Sequence, residues 1–266
     1  MGRFRPQWLV VGSGRWGGIV AQALERCDRT VLTRGGFRVL PGEAWDAYQA
    51  RCAERIRETG AEMVWIATPP GEHVVPLLEA ALAAGCNAVV EKPWLTDSST
   101  SSRISKEFAS CAKVAAVHHQ YLYLDDIEAL RERWQRRDDA LFAGAFLTTK
   151  PGRPDLPADA NLGSHLLSMR RYIAPSSQIA KFDVGYGQAV DLRKVCFRSK
   201  GQSDGLDFTV NSQPIVERFI ADFERSSERG TEPPANLGHA AAVFDDLLAV
   251  RAGKLLALPT QNANVN

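Results

Sequence analysis

The sequence predicts an α/β chain in two parts: a doubly wound parallel sheet with helices on both faces, then a shortened α+β domain with an open, mostly antiparallel sheet. Two observations carry this. Over the first 117 residues, short apolar runs alternate with segments of roughly 10–15 residues at helical spacing, which is the mark of βαβ units. Past residue 118 the alternation stops. Strand-like runs separated by Pro-, Gly-, Asp- and Ser-rich loops then take over, with few helices among them. The expected division is therefore 1–117, 118–259, and a polar, disordered tail over 260–266.

In order, the apolar run at 8–11 is a strand, followed by glycines and a helix over 19–26 with apolar residues at helical spacing. A strand at 30–33 stops at Gly35 and Gly36. Trp45, Tyr48, Cys52 and Ile56 give a helix over 44–59, and 63–67 is an uninterrupted apolar strand closed by Thr68, Pro69 and Pro70. A helix over 72–84 ends at Gly85, and a strand at 87–90 runs into Glu91, Lys92 and Pro93. The Asp/Ser/Thr cluster at 97–102 caps a helix over 99–112, because these side chains accept hydrogen bonds from free helix amides. The strand at 114–117 completes the first sheet. The second part reads as helices at 127–136, 162–173, 214–225 and 236–252, with strands at 141–149, 179–186, 193–198 and 206–211.

Composition excludes several functions. Lys plus Arg number 32 and Asp plus Glu 31, a net charge of +1, so the broad basic footprint of a nucleic-acid binder is missing. The five cysteines are odd in number and widely spaced, with no Cys-x-x-Cys pair. That argues for a reducing, cytoplasmic setting and against a disulfide framework or a zinc module. The apolar run after the N-terminal arginines ends at Gly12, too soon for a secretory leader, and no run approaches the ~20 residues of a membrane span. No cluster has metal-ligand spacing, so no metal is expected.

Gly12, Gly14 and Gly17, with Ser13, Arg15 and Trp16 between them, form a G-x-G-x-x-G that follows a strand and opens a helix. In that setting it is the Rossmann dinucleotide fingerprint. The first glycine makes the turn, the second admits a pyrophosphate, and the third lets helix and strand pack closely. A P-loop is excluded because no Gly-Lys-Ser/Thr follows. The second strand ends in Thr33 and Arg34, with no acid before Glu43. A hydroxyl and a guanidinium suit a 2′-phosphate rather than a free ribose, so NADP(H) is favoured and NAD(H) remains possible.

These residues resemble the glucose–fructose oxidoreductase/inositol dehydrogenase (Gfo/Idh/MocA) family. The resemblance runs through the glycine loop, then 66–73 (IATPPGEH), then 80–93 (AALAAGCNAVVEKP), with fainter matches at 161–165 (NLGSH) and 214–225. It implies a hydride-transferring NAD(P)-dependent oxidoreductase acting on a sugar- or cyclitol-like small molecule. It places Thr68, Pro69 and His73 beside the cofactor and Glu91 at the nicotinamide ribose. Lys92 and His165 become the proton donor and acceptor, Asn161 and Tyr121 substrate contacts, and the C-terminal sheet a possible homodimer surface. A lysine at an apolar strand end can exchange a proton or, as an ammonium, polarise a carbonyl. An imidazole suits acid–base work near neutral pH.

Three departures leave two further readings open. Asn161 stands where the family usually has an acid, Ser168 replaces an acid after the histidine, and Leu122 replaces an arginine. One alternative is an NADPH-dependent reductase of an imine (thiazoline-type) substrate. The other is a non-catalytic dinucleotide-binding sensor or partner subunit.

Overall fold

Four or fewer apolar residues per strand suffice to build the first sheet because its strands are covered on both faces. Strands β1 (Trp8–Val11), β3 (Met63–Ile66), β4 (Asn87–Val90) and β5 (Ala115–Val117) are buried throughout, while β2 (Val31–Thr33) forms an edge. That is why these runs are continuous rather than alternating in polarity. All pairs are parallel, in the order β2-β1-β3-β4-β5. The chain winds outward from β1 to β2 and then back to β3, so the direction of winding reverses between β1 and β3. The computed structural model describes residues 5–33, 35–209 and 214–255.

One face of this sheet presents Leu9, Val64, Ile66, Ala88 and Val90 to helices α2 (Trp45–Arg57), α3 (Val74–Ala83) and α4 (Ser98–Ser110). Helix α4 starts where the Asp/Ser/Thr cluster places it. Asp97 Oδ1 accepts from the Thr100 amide at 2.9 Å, and bonds from Ser99 and Thr100 hold this carboxyl well below the usual carboxylate range.

The other face carries Trp8 and Trp65, whose ring centroids lie 5.8 Å apart. It is covered by α1 (Arg15–Arg26) and by a late helix, α7 (Ile215–Arg229), which buries Ile215, Phe219, Ile220 and Phe223. Phe223 lies 5.8 Å from Trp8 and Phe219 5.4 Å from Trp65. Burying each ring stabilises by about 1.5–3 kcal/mol. Glu224 fixes the register, accepting from the Trp8 indole at 3.0 Å and, through both oxygens, from Arg29 at 2.7 and 2.6 Å.

By contact the chain therefore divides into a first unit of the described residues of Met1–Tyr123 and Pro214–Ala241, and a second of those of Leu124–Gln213 and Ala242–Asn266. The sequence reading assigned everything after 117 to the second part. The segment from Pro214 instead sides with the first, because its apolar stripe fits the tryptophan face.

The second unit is built on a sheet of β6 (Leu141–Leu147), β7 (Gln178–Gly185), β8 (Leu192–Ser199) and β9 (Gln202–Asp207), in the order β7-β6-β8-β9. The β6–β7 pair is parallel, and β6–β8 and β8–β9 are antiparallel. Phe197, 5.4 Å from Phe142, meets Trp134 of α5 (Ile127–Trp134) at 5.8 Å. The connection from β6 to β7 contains a π-helical turn, Asp159–Gly163, that leads into α6 (Ser164–Ile173). The last helix, α8 (Leu237–Arg251), contributes Asp246. This carboxylate is 4% exposed and binds Arg170 at 2.8 Å and Arg171 at 2.6 Å.

The final strand begins earlier than its apolar content suggests. Gln202, Ser203 and Asp204 enter it as the hairpin partner of β8, and Asp204 accepts from the Trp134 indole at 2.8 Å. The expected end of that strand at 210–211 and the tail over 260–266 lie outside the described residues. No helix among the described residues is long and apolar enough to cross a membrane.

Candidate functional site

The carboxyl ends of the parallel strands, at the point where winding reverses, are where sheets of this kind bind ligands. The glycine loop lies there, and its three glycines differ in what requires them. Gly12 has φ +126°, and a Cβ on it would stand 2.6 Å from the Ala67 carbonyl oxygen. A Cβ on Gly17 would stand 2.1 Å from the Gly12 carbonyl oxygen. The fold itself requires both. Gly14 has an ordinary φ of −74°, and a Cβ there would meet nothing within 4 Å.

The space in front of Gly14 is open, and α1 starts just behind it with no side-chain cap and no acid in its first turn. The amides of that turn are thus available to an anion. Ser13 and Arg15 are exposed at the same place, while the Trp16 indole nitrogen is enclosed without an acceptor among the described residues. This cradle fits the diphosphate of a dinucleotide.

Around it, Thr33 is exposed at the end of β2, and Arg34, expected to meet the 2′-phosphate, lies outside the described residues. Past β3, Thr68 Oγ1 is 3.1 Å from His73 Nε2, and Pro69 is exposed beside them. Burial holds the His73 imidazole below its ordinary pKa.

Beyond β4 the chain places Glu91, Lys92 and Pro93 at the same edge, with a cis Lys92–Pro93 peptide. Glu91 Oε1 accepts from the Trp65 indole at 2.8 Å and from His118 Nδ1 at 3.0 Å. The His118 ring is buried among Phe219 (4.7 Å), Trp65 (4.9 Å) and Trp16 (6.0 Å). Lys92 is half-buried. Tyr121 and Leu122 are both buried, in a 3-10 turn (Gln120–Tyr123) that packs on α7 through Tyr123 and Phe219.

His118 and His119 follow directly on the last strand of the first sheet. Strand β5 stops at Val117, and both histidines are buried. Val90 pairs with Val117, so Glu91 and His118 leave adjacent strands at one level.

His119 lies 5.5 Å from the His239 ring, and both of its ring nitrogens are enclosed without a partner among the described residues. Burial, then the charges of His239, Lys92 and His118, push its pKa well below the ordinary value. The unfolded chain therefore takes up a proton here on acidification that the folded chain does not, so stability falls as pH drops below the ordinary histidine pKa. His119→Leu should flatten the dependence of unfolding free energy on pH between 7.5 and 5.5 by up to about 1.4 kcal/mol per pH unit. Denaturant titrations at several pH values read this directly. Identical slopes in the two proteins would remove His119 from the linkage.

In the second unit, Asn161 and His165 stand one turn apart at the start of α6. The Asn161 amide donates to the Tyr186 hydroxyl, and the His165 ring stacks on Phe146 at 5.6 Å. The Arg193 guanidinium lies 5.0 Å from the centre of the Phe146 ring. Tyr186 and Arg193 were not singled out from sequence, because nothing in a strand's alternation distinguishes its end residues.

A parallel unit with this loop, together with a mixed-sheet unit bearing a histidine-containing helix, defines a class of fold. Solved Gfo/Idh/MocA-type NAD(P)-dependent dehydrogenases share this fold. The chain is similar to UDP-N-acetylglucosamine 3-dehydrogenase GnnA from Acidithiobacillus ferrooxidans, with 16% identity over 95% of this chain and 99% of that one and a TM-score of 0.73. GenD2 from gentamicin A biosynthesis, solved with NAD, shares 15% identity over 94% of each chain with a TM-score of 0.69. The 3-ketoreductase KijD10 from Actinomadura kijaniata, solved with TDP-benzene and NADP, shares 13% over 94% and 98% with a TM-score of 0.66. The likeness is one of fold. No family model matches the chain, and no curated protein matches its sequence.

Proposed function

We propose that the protein is an NAD(P)-dependent oxidoreductase, preferring NADP(H), that moves a hydride between nicotinamide C4 and a carbonyl or alcohol carbon of a sugar-like small molecule. The single observation that carries this is the contrast within the glycine loop: two glycines the fold requires, and one facing open space beside uncapped helix amides. The fold shared with sugar dehydrogenases and ketoreductases supports the substrate class.

In this reading the amides of Gly12–Gly17 hold the diphosphate, and Thr33 and Arg34 the 2′-phosphate. Thr68, Pro69 and His73 border the cofactor, with Glu91 and Lys92 at its nicotinamide end. The bound cofactor supplies the hydride. Lys92 polarises the carbonyl and delivers its proton, His165 serves as the second acid–base group, and Asn161 and Tyr121 orient the substrate.

A panel of keto sugars, nucleotide-linked sugars and cyclic imines, followed by loss of NADPH absorbance, tests the assignment. Turnover of imines alone would move it to the imine reductase reading, and cofactor binding without turnover on any of them to the sensor reading. With an active substrate, Lys92→Ala should lower turnover at least about 10²-fold while calorimetric cofactor affinity holds. Undiminished turnover would remove Lys92 from the chemistry.

A further inference from the structure

We propose that the Glu91 carboxylate makes the first unit bind the oxidised, cationic form of its nicotinamide cofactor in preference to the reduced, neutral form. This rests on the dinucleotide reading above and says which way the site biases the couple.

The argument starts from placement. A dinucleotide on a doubly wound sheet puts its adenosine half at the end of the second strand and straddles the reversal point. Its nicotinamide half therefore lies toward the far strands. Strand β4 ends at Val90, and Glu91 is the next residue.

The carboxylate is also held in place. Its side chain is 9% exposed, and Oε1 receives two donors at once. The Trp65 indole can only donate, which fixes the direction of that bond. The His118 ring, wedged between Phe219 and Trp65, supplies the second. A negative charge fixed at a partly dry site interacts more strongly with a nearby cation than one free to swing into water.

The two cofactor forms differ in their ring by one positive charge. A fixed carboxylate near that ring favours the oxidised form and leaves the reduced form nearly untouched. At a separation of about 6 Å and an effective dielectric of about 40, between that of a protein surface and that of water, the bias is about tenfold in relative affinity. The consequence follows from linkage. A site that holds the oxidised form more tightly makes the bound reduced cofactor a stronger hydride donor, so the couple is poised for reduction of the second substrate.

Calorimetric titration of the full-length protein with NADP+ and with NADPH tests this without any substrate. The same titrations are run on Glu91→Gln, which keeps the shape and an acceptor oxygen. The dissociation constant of NADP+ relative to that of NADPH should rise about tenfold in Glu91→Gln, with NADPH itself within twofold of wild type. His118→Phe keeps the charge but releases it, and should move the same ratio in the same direction by about threefold. This second variant carries the test if Glu91→Gln does not fold. A ratio unchanged within twofold in the variant tested, or equal weakening of both forms, overturns the proposal while leaving the dinucleotide reading intact. Wild-type protein that binds neither form, nor NAD+ and NADH, overturns the dinucleotide reading and this one with it.

Discussion

Gly14→Val is expected to raise the dissociation constant of NADPH at least about 100-fold, a loss of roughly 2.7 kcal/mol, while thermal stability stays at the wild-type level. Stability holds because a Cβ at this position meets nothing within 4 Å, and the backbone there, at φ −74° and ψ 174°, is extended geometry that a β-branched residue adopts readily. Binding fails because the added methyls occupy the space in front of the first amides of α1, where the pyrophosphate must approach.

Gly17→Ala is the informative control. Its Cβ would sit 2.1 Å from the Gly12 carbonyl oxygen, so the loop must open and stability must fall. A turn with no ligand would be sensitive at 17 and indifferent at 14 in every assay. Calorimetry and thermal melts on the two variants separate the cases, and wild-type NADPH affinity in Gly14→Val would end the diphosphate assignment.

The second large effect is on stability. Asp246→Ala should destabilise the protein by about 3–5 kcal/mol, because it strands a buried guanidinium. Arg170 is 3% exposed. Burial depresses its pKa, and Asp246 is the charge that opposes this. Arg171 is half-buried and can turn to water, so most of the cost falls on Arg170.

The pair Arg170→Met with Asp246→Leu should recover most of the loss, since apolar replacement of a buried ion pair is often neutral. Recovery stays about 1 kcal/mol short, because the Arg170 side chain also donates to the Ser177 carbonyl at 3.0 Å. Denaturant melts of the single and double variants read both numbers. A single variant as stable as wild type would show that water reaches this cluster.

What could be read ahead of the fold follows from how local each cause is. Four strands of the first sheet were legible because burial on both faces leaves uninterrupted apolar runs, and the edge strand β2 because Gly35 and Gly36 stop it. The α4 start was legible because Asp97 caps it through residues two and three positions on. The glycine loop was legible because its constraints are steric and span only six residues.

The position of α7 was not. Its stripe of Ile215, Phe219, Ile220 and Phe223 announces a buried face but not the surface it covers, and the partners Trp8 and Trp65 lie 215 residues before Phe223 and 154 before Phe219. The Glu91–His118–Trp65 cluster was hidden for a similar reason. It needs the register of β4 on β5 and of β3 on β4, which no single segment encodes. Strand β9 was misjudged at its start because polar residues join a sheet when a hairpin partner supplies the hydrogen bonds.

The late return of α7 has a bearing on biosynthesis. A nascent chain emerging from the ribosome exposes Trp8 and Trp65 early, and the whole of Leu124–Gln213 must be translated before their cover exists. Until then the N-terminal sheet is sticky on one side, the condition that recruits holding chaperones and invites misassembly. The first unit therefore matures only once translation has passed the whole of Leu124–Gln213 and delivered α7.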